Sequence, residues 1–147
     1  MKKPVVAVTM GDASGIGPEL IAKLLHRPET KTVAQLVLVG DPWVWASGQR
    51  IAGTAHVTRS ISDWKDARNG DGTPLFLETP TVAQSDITAG QMTAAAGAGA
   101  RLALTACLDA VRRGDADAIC FAPLNKQAMK KGGMDFEDEL HFFADYF

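Results

Sequence analysis

Two short stretches hold the residue types that small-molecule chemistry needs: Gly11-Asp-Ala-Ser-Gly15 and Pro123-Leu-Asn-Lys126. Each follows an apolar run, Val5 to Met10 in one case and Asp117 to Ala122 in the other. Short runs of this kind become buried strands. In a parallel α/β sheet, ligand sites lie beyond the carboxyl ends of the strands. The two loops would therefore offer Asp12, Ser14, Asn125 and Lys126 to one ligand. A lysine just past a strand can neutralise a phosphate or carboxylate, or polarise a hydroxyl being oxidised. On spacing alone it is equally a solvated lysine at a helix start. Glu137, Asp138, Glu139 and His141 follow close behind. Those acids can hold a metal or favour a helix N-terminus, and the second reading is preferred. His141 has no second histidine at metal-ligand spacing. The glycines complete no standard phosphate loop, since Gly11-x3-Gly15-x-Gly17 is neither the Walker pattern nor Gly-x-Gly-x-x-Gly. Residue chemistry by itself points to a small-molecule site and leaves the reaction open.

The elements that must position these loops are legible in the pattern. After the first strand, Gly11, Gly15 and Gly17 supply backbone freedom, Pro18 suits a first helical turn, and Glu19 faces the positive end of the dipole. A helix is predicted from Glu19 to His26 with Leu20, Ile21, Leu24 and Leu25 as its apolar stripe, ending before Pro28. Gln35 to Val39 reads as a second buried strand. Asp41 is then an N-cap and Pro42 a first helical residue for a helix reaching Ile51, with Trp43 and Trp45 as packing residues unpaired with any polar group. Ala55–Ser60 and Thr73–Leu77 are shorter strands around the turn-rich Asn69-Gly-Asp-Gly72, so the regular alternation is interrupted there. His56 reads as structural.

The longest periodic signal runs from Ala89 to Arg113, with Met92, Ala95, Ala96, Gly99, Leu102, Ala103, Ala106, Ala110 and Val111 on one buried face. Glycine costs about 1 kcal/mol against alanine inside a helix, so Gly97 and Gly99 call for close packing against another backbone. That backbone can belong to this chain or to a second subunit. Arg112, Arg113 and Gly114 end the helix. A short helix over Gln127–Lys131 closes at Gly132-Gly133, and Phe136–Phe143 begins a last helical segment. The order of elements predicts an α/β fold with a largely parallel sheet.

Composition sets the wider bounds. The 147 residues, 46% hydrophobic and 22% charged, suit one soluble domain with no internal boundary. A formal net charge of -2 gives no electrostatic reason to expect nucleic acid or a membrane surface as partner. Lys126, Lys130 and Lys131 form the one compact basic cluster and read as a solvated helix end. The apolar runs look shorter than the roughly 20 residues a membrane span needs. No signal-peptide pattern precedes the first strand, so a cytoplasmic protein is expected. Cys107 and Cys120 are expected to be buried free thiols of a reducing compartment.

As strings, Thr9-Met-Gly-Asp-Ala-Ser-Gly-Ile-Gly-Pro-Glu19, the alanine-rich helix, and Ala122-Pro-Leu-Asn-Lys126 with Gly132-Gly133 resemble the 4-hydroxythreonine-4-phosphate dehydrogenase family. That family's opening motif is close to T-M-G-D-P-A-G-I-G-P-E, from which this chain departs at Ala13 and Ser14. The resemblance runs from end to end and implies the N-terminal part of a longer chain. It also implies a three-layer α/β/α fold shared with isopropylmalate dehydrogenases, incomplete in this chain, and a homodimer with sites at the subunit interface. The implied reaction oxidises a secondary alcohol with NAD or NADP and a divalent metal (Zn, Mg, Mn or Co), after which the β-keto acid can lose carbon dioxide. A metal suits this because it polarises the alcohol oxygen and stabilises the enolate. The family's histidine ligands and most nucleotide contacts fall beyond Phe147, so no metal ligand is expected in this chain.

One departure bears on substrate. Where the biosynthetic enzymes carry G-H-T-E, with the His-Thr pair on substrate, this chain has Asp138, Glu139, Leu140 and His141, followed by Phe142 and Phe143. An acid residue facing a phosphate is repulsive, by up to about a few kcal/mol when desolvated, whereas it can accept hydrogen bonds from hydroxyls. The expected substrate is therefore a small phosphorylated hydroxy acid such as threonate or erythronate 4-phosphate, or else a cis-dihydrodiol carboxylate. The resemblance implies Lys126 as the catalytic candidate, with Asp12, Asn125, Glu139, Leu140 and His141 on substrate. The alternative is a non-catalytic module, binding a small molecule or dimerising, that lacks the metal site.

Overall fold

Val5–Thr9 (β1) and Gln35–Gly40 (β2) become the central strands of a sheet. Val37, Leu38 and Val39 are consecutive and completely buried. That is the mark of a parallel strand covered on both faces, and it is why the run lacks polar alternation. Helix α1 (Gly17–Leu25) and the short α2 (Thr30–Val33) lie between them, and α3 (Pro42–Ala52) follows. Strands β3 (Arg59–Ile61) and β4 (Leu75–Glu78) are joined by a 3-10 helix over Trp64–Asn69. The long α4 (Ala94–Arg113) leads to β5 (Ala118–Phe121), then to α5 (Lys126–Lys131) and α6 (Glu139–Tyr146). In this computed structural model, which describes residues 2–147, the strand order is β3-β4-β2-β1-β5 and every pair is parallel.

The connections place the helices in two layers. Steps from β1 to β2 and from β2 outward to β3 put α1 and α3 on one face, where Ile21, Ala22, Val44 and Trp45 pack on Val8, Leu38 and Phe76. Steps back put the 3-10 helix and α4 on the other face, where Trp64, Ala67, Cys107 and Ala110 pack on Val5, Ala7, Val37 and Leu75. This is the arrangement that crossovers of one hand produce. The interrupted alternation around Asn69–Gly72 is real, yet β3 and β4 remain parallel because the 3-10 helix serves as a short crossover. Buried Gln35 ties down the turn after it, accepting from the Gly72 amide at 3.0 Å and donating to the Thr73 carbonyl at 2.7 Å.

Several expectations change. Helix α4 begins at Ala94 because the Thr93 hydroxyl caps the Ala96 amide at 3.1 Å, and a left-handed Gly90 turns the chain just before. Its core face carries Leu104, Cys107 and Leu108, while Met92 and Leu102 are exposed. At 20 residues, with a mean hydropathy of 1.3 over an 18-residue window, α4 does reach the length and apolarity of a membrane span, contrary to the reading of short apolar runs. Here it is the core helix of the sheet. On α1 the buried set is Ile21, Ala22 and Leu25, with Leu20 and Leu24 left at the surface. The third strand begins at Arg59, four residues later than the pattern suggested, and the last helix begins at Glu139. Cys107 is buried, but Cys120 is exposed because β5 is an edge strand whose Ala118 and Cys120 face has no helix over it.

Candidate functional site

In a doubly wound sheet, crevices open where neighbouring strands send their chains to opposite faces. Strand β1 leads to α1 on one face and its neighbour β5 leads to α5, which packs beside α4 on the other. Their loops part, and a cleft of about 480 Å³ lies between them, lined by Asp12, Gly15, Ile16, Pro123, Asn125 and Lys126 among others. The two stretches singled out in the sequence thus face one cavity. A larger groove, about 670 Å³ beside Trp45, Ser60 and Phe76, lies over the opposite sheet edge and takes in none of these residues.

The glycine loop is built around Asp12, which is only 5% exposed. Its Oδ1 accepts from the Ser14 amide at 2.8 Å and the Ser14 hydroxyl at 2.7 Å, so the Ser14 hydroxyl proton is spent on the loop, and Ser14 is not among the lining residues of the cleft. The Asp12 amide donates to the Pro123 carbonyl, stitching the two loops together. Gly11, at φ 72°, sits where a side chain would strike the Ala122 and Pro123 carbonyls. That close approach sets the width of the cleft floor, and it requires glycine.

The Lys126 side of the cleft is set by a backbone contact between helices. A Cβ on Gly97 of α4 would overlap the Ala128 carbonyl of α5, and one on Gly132 would overlap the Gly97 and Ala98 backbone. The close packing that the helix glycines demand is therefore within this chain at Gly97; Gly99 faces the Val82 side chain. Asn125 caps α5, accepting from the Ala128 amide at 3.0 Å, and Lys126 follows as an exposed cation at the cleft.

The start of α6 stands outside the lining of this cleft. Asp138 caps the helix, accepting from the His141 amide at 2.9 Å, and its Oδ1 lies 2.7 Å from His141 Nδ1. The His141 hydrogen bonds, with help from the Lys126 charge, hold Asp138 below the ordinary carboxylate range. Asp138 in turn raises the His141 pKa. Glu139 has one carboxylate oxygen buried without a partner, and Leu140 is 70% exposed. The structure therefore brings Asp12, Asn125 and Lys126 together and leaves Glu139, Leu140 and His141 on a neighbouring element. Sequence reading missed Ile16, an exposed apolar residue on the cleft rim whose position inside the glycine motif was the available signal. Among the described residues no group of three or more His, Cys, Asp or Glu could hold a metal ion.

Fold and cleft define a doubly wound α/β protein with a cleft at a switch point of its parallel sheet. The family model described as pyridoxal phosphate biosynthetic protein PdxA matches residues 32–147, and the chain belongs to that family. It is 38% identical to a D-threonate 4-phosphate dehydrogenase of Bordetella bronchiseptica, over 98% of this chain and 41% of that one. It is 32% identical to a 4-hydroxythreonine-4-phosphate dehydrogenase of Geobacter metallireducens, over 97% of this chain and 42% of the relative. The crystal structure of a 4-hydroxythreonine-4-phosphate dehydrogenase from Burkholderia phymatum matches with a TM-score of 0.89 at 30% identity, covering 99% of this chain and 44% of that one. The chain thus spans less than half the length of the relatives it matches.

Proposed function

We propose that this chain forms the substrate-binding wall of a dehydrogenase that oxidises a phosphorylated hydroxy acid. The observation that carries this reading is the meeting of the Asp12 loop and the Asn125-Lys126 loop at the carboxyl ends of adjacent parallel strands. Lys126 gives the cleft a cation for phosphate or carboxylate, and Asn125 keeps its side-chain amide for a ligand while its carbonyl caps α5. Asp12 holds the loop in shape. Glu139, Leu140 and His141 lie outside the lining of this cleft, and a substrate role for them, with Glu139 accepting from hydroxyls, rests on their place in the sequence motif. In the reaction proposed, the secondary alcohol gives its C–H as hydride to NAD or NADP and its O–H proton to a base. A divalent metal and the nucleotide would be held by parts of the family chain outside these residues, in a homodimer.

The replacement of a His-Thr pair by Glu139-Leu140 favours a four-carbon sugar-acid phosphate over 4-hydroxythreonine 4-phosphate. The test uses the full-length protein with D-threonate, D-erythronate and 4-hydroxythreonine 4-phosphates, with and without a chelator. The sugar-acid phosphates should be turned over, and chelation should abolish the reaction. Lys126→Ala should lower kcat/KM about a hundredfold, and the split between kcat and KM separates proton transfer from binding. Efficient use of 4-hydroxythreonine 4-phosphate would overturn the substrate preference. An unaffected Lys126→Ala enzyme would overturn the role of the cleft.

A further inference from the structure

Asp41 is the second buried carboxylate among the described residues, 6% exposed, and nothing in the cleft uses it. It was expected to cap α3, but its side chain makes no cap bond there. It sits at the sheet's other switch point, where β2 leads to α3 on one face and neighbouring β4 leads to α4 on the opposite one. A second crevice should open here. Only about 20 Å³ remains, among Met10, Gly40, Asp41, Thr81, Val82 and Ala100.

Asp41 closes it. Its Oδ2 accepts from the Thr81 hydroxyl at 2.5 Å, the Thr81 amide at 3.1 Å and the Val82 amide at 3.3 Å. Two further bonds fix the same place: Thr79 amide to Gly40 carbonyl at 2.9 Å, and Trp43 Nε1 to Val82 carbonyl at 3.2 Å. Trp43 thus has a polar partner that its sequence context did not reveal. The chain then runs through a 3-10 turn at Gln84–Asp86 to Gly90, whose amide donates to the Ser14 carbonyl at 2.7 Å. Ser14 is the residue that Asp12 holds.

We propose that Asp41 is a positioning residue of the cleft: it anchors the Thr79–Gln91 segment as a strap, and the strap braces the Asp12 loop through Gly90 and Ser14. A carboxylate suits the anchor because three donors converge on it, and charged acceptors make the stronger bonds. Asparagine keeps one acceptor oxygen; alanine keeps none and strands two amides. The consequence for substrate rests on the proposed role of the cleft, whereas amide exchange reads the strap without substrate, so the two can fail separately.

The test is residue-resolved hydrogen exchange on the 147-residue chain with Asp41→Ala and Asp41→Asn. In Asp41→Ala, exchange should rise at least about tenfold at Thr81, Val82 and Gly90 together, while β1 and β2 keep their wild-type rates. Asp41→Asn should recover all three sites in part and in step. Opening at Thr81 and Val82 with Gly90 unchanged would overturn the strap, and so would uniform acceleration of every amide. Should Asp41→Ala fail to fold, Thr81→Val removes only the hydroxyl bond and must still speed exchange at Gly90 about threefold; no change there overturns the proposal. In the full-length enzyme Asp41→Asn should raise KM for the sugar-acid phosphate more than it lowers kcat, and an unchanged KM would overturn the link to substrate.

Discussion

Gly97 of α4 rests directly on the carbonyl of Ala128 in α5, with no room for a Cβ between them. This contact fixes the helix that begins at Lys126. Gly97→Ala gains about 1 kcal/mol of helix propensity but must overpack against backbone, which costs about 1–3 kcal/mol or more. A net loss of up to about 2 kcal/mol or more is expected, lowering the melting temperature by roughly 2–4 °C for each kcal/mol. Gly99→Ala is the contrast. Its Cβ would meet the Val82 Cβ at 3.0 Å and the Thr81 carbonyl at 3.5 Å, a milder overlap than the one at Gly97, so that variant should lose less stability than Gly97→Ala. Equal melting temperatures for the two variants would show that the α4–α5 contact is not the tight one.

The Asp12 loop predicts a graded series. Asp12→Ala leaves the buried Ser14 amide and hydroxyl without an acceptor, at a cost of about 1–3 kcal/mol, whereas Ser14→Ala removes one bond and should cost about 1 kcal/mol or less. Denaturant midpoints measure the order, and the reverse order would rule out this role for Asp12.

The two cysteines should differ sharply in reactivity. Burial pushes the Cys107 thiol up to about 12, and Cys120 is exposed on the edge strand. The thiolate is the reactive form, so a native 147-residue chain should consume one equivalent of an aromatic disulfide reagent. Cys120→Ser should consume none until denaturant is added. Fast native labelling of Cys120→Ser would contradict the core position of Cys107.

A pH effect is expected at the start of α6. His141 titrates above its ordinary value of 6.5, because Asp138 hydrogen-bonds to it and lies close to its charge. Its contribution to stability is therefore full below 6.5 and lost as pH rises through the elevated value. Asp138 is held below 3.8, so its contribution is present above 3.8 and lost as pH falls through the depressed value. Proton NMR should place the His141 midpoint above 6.5, and Asp138→Asn should move it back down. A midpoint indifferent to Asp138 would show that the pair does not persist in solution.

The local pattern of the chain determined a good deal. The runs at Val5 and Gln35 are short, rich in β-branched residues and apolar without alternation, as strands buried on both faces are, so the parallel sheet was readable. The Gly11–Gly17 and Pro123–Lys126 stretches each follow a strand, which sufficed to place both at the sheet's carboxyl edge. Their motifs also carried the family.

Tertiary structure decided what periodicity cannot express. A repeat says which residues share a face, not what covers it, so Leu20 and Leu24 could not be told from Ile21 and Leu25. An edge strand and a central strand have the same local pattern, which is why Cys120 read as buried. Gly97 announced a close approach, but only the packed helices show that α5 makes it. Asp41 sits where an N-cap belongs, yet its carboxylate turns to a loop 40 residues away. Long-range partners of this kind depend on how distant segments come together in three dimensions, and no window along the chain contains both ends of the bond.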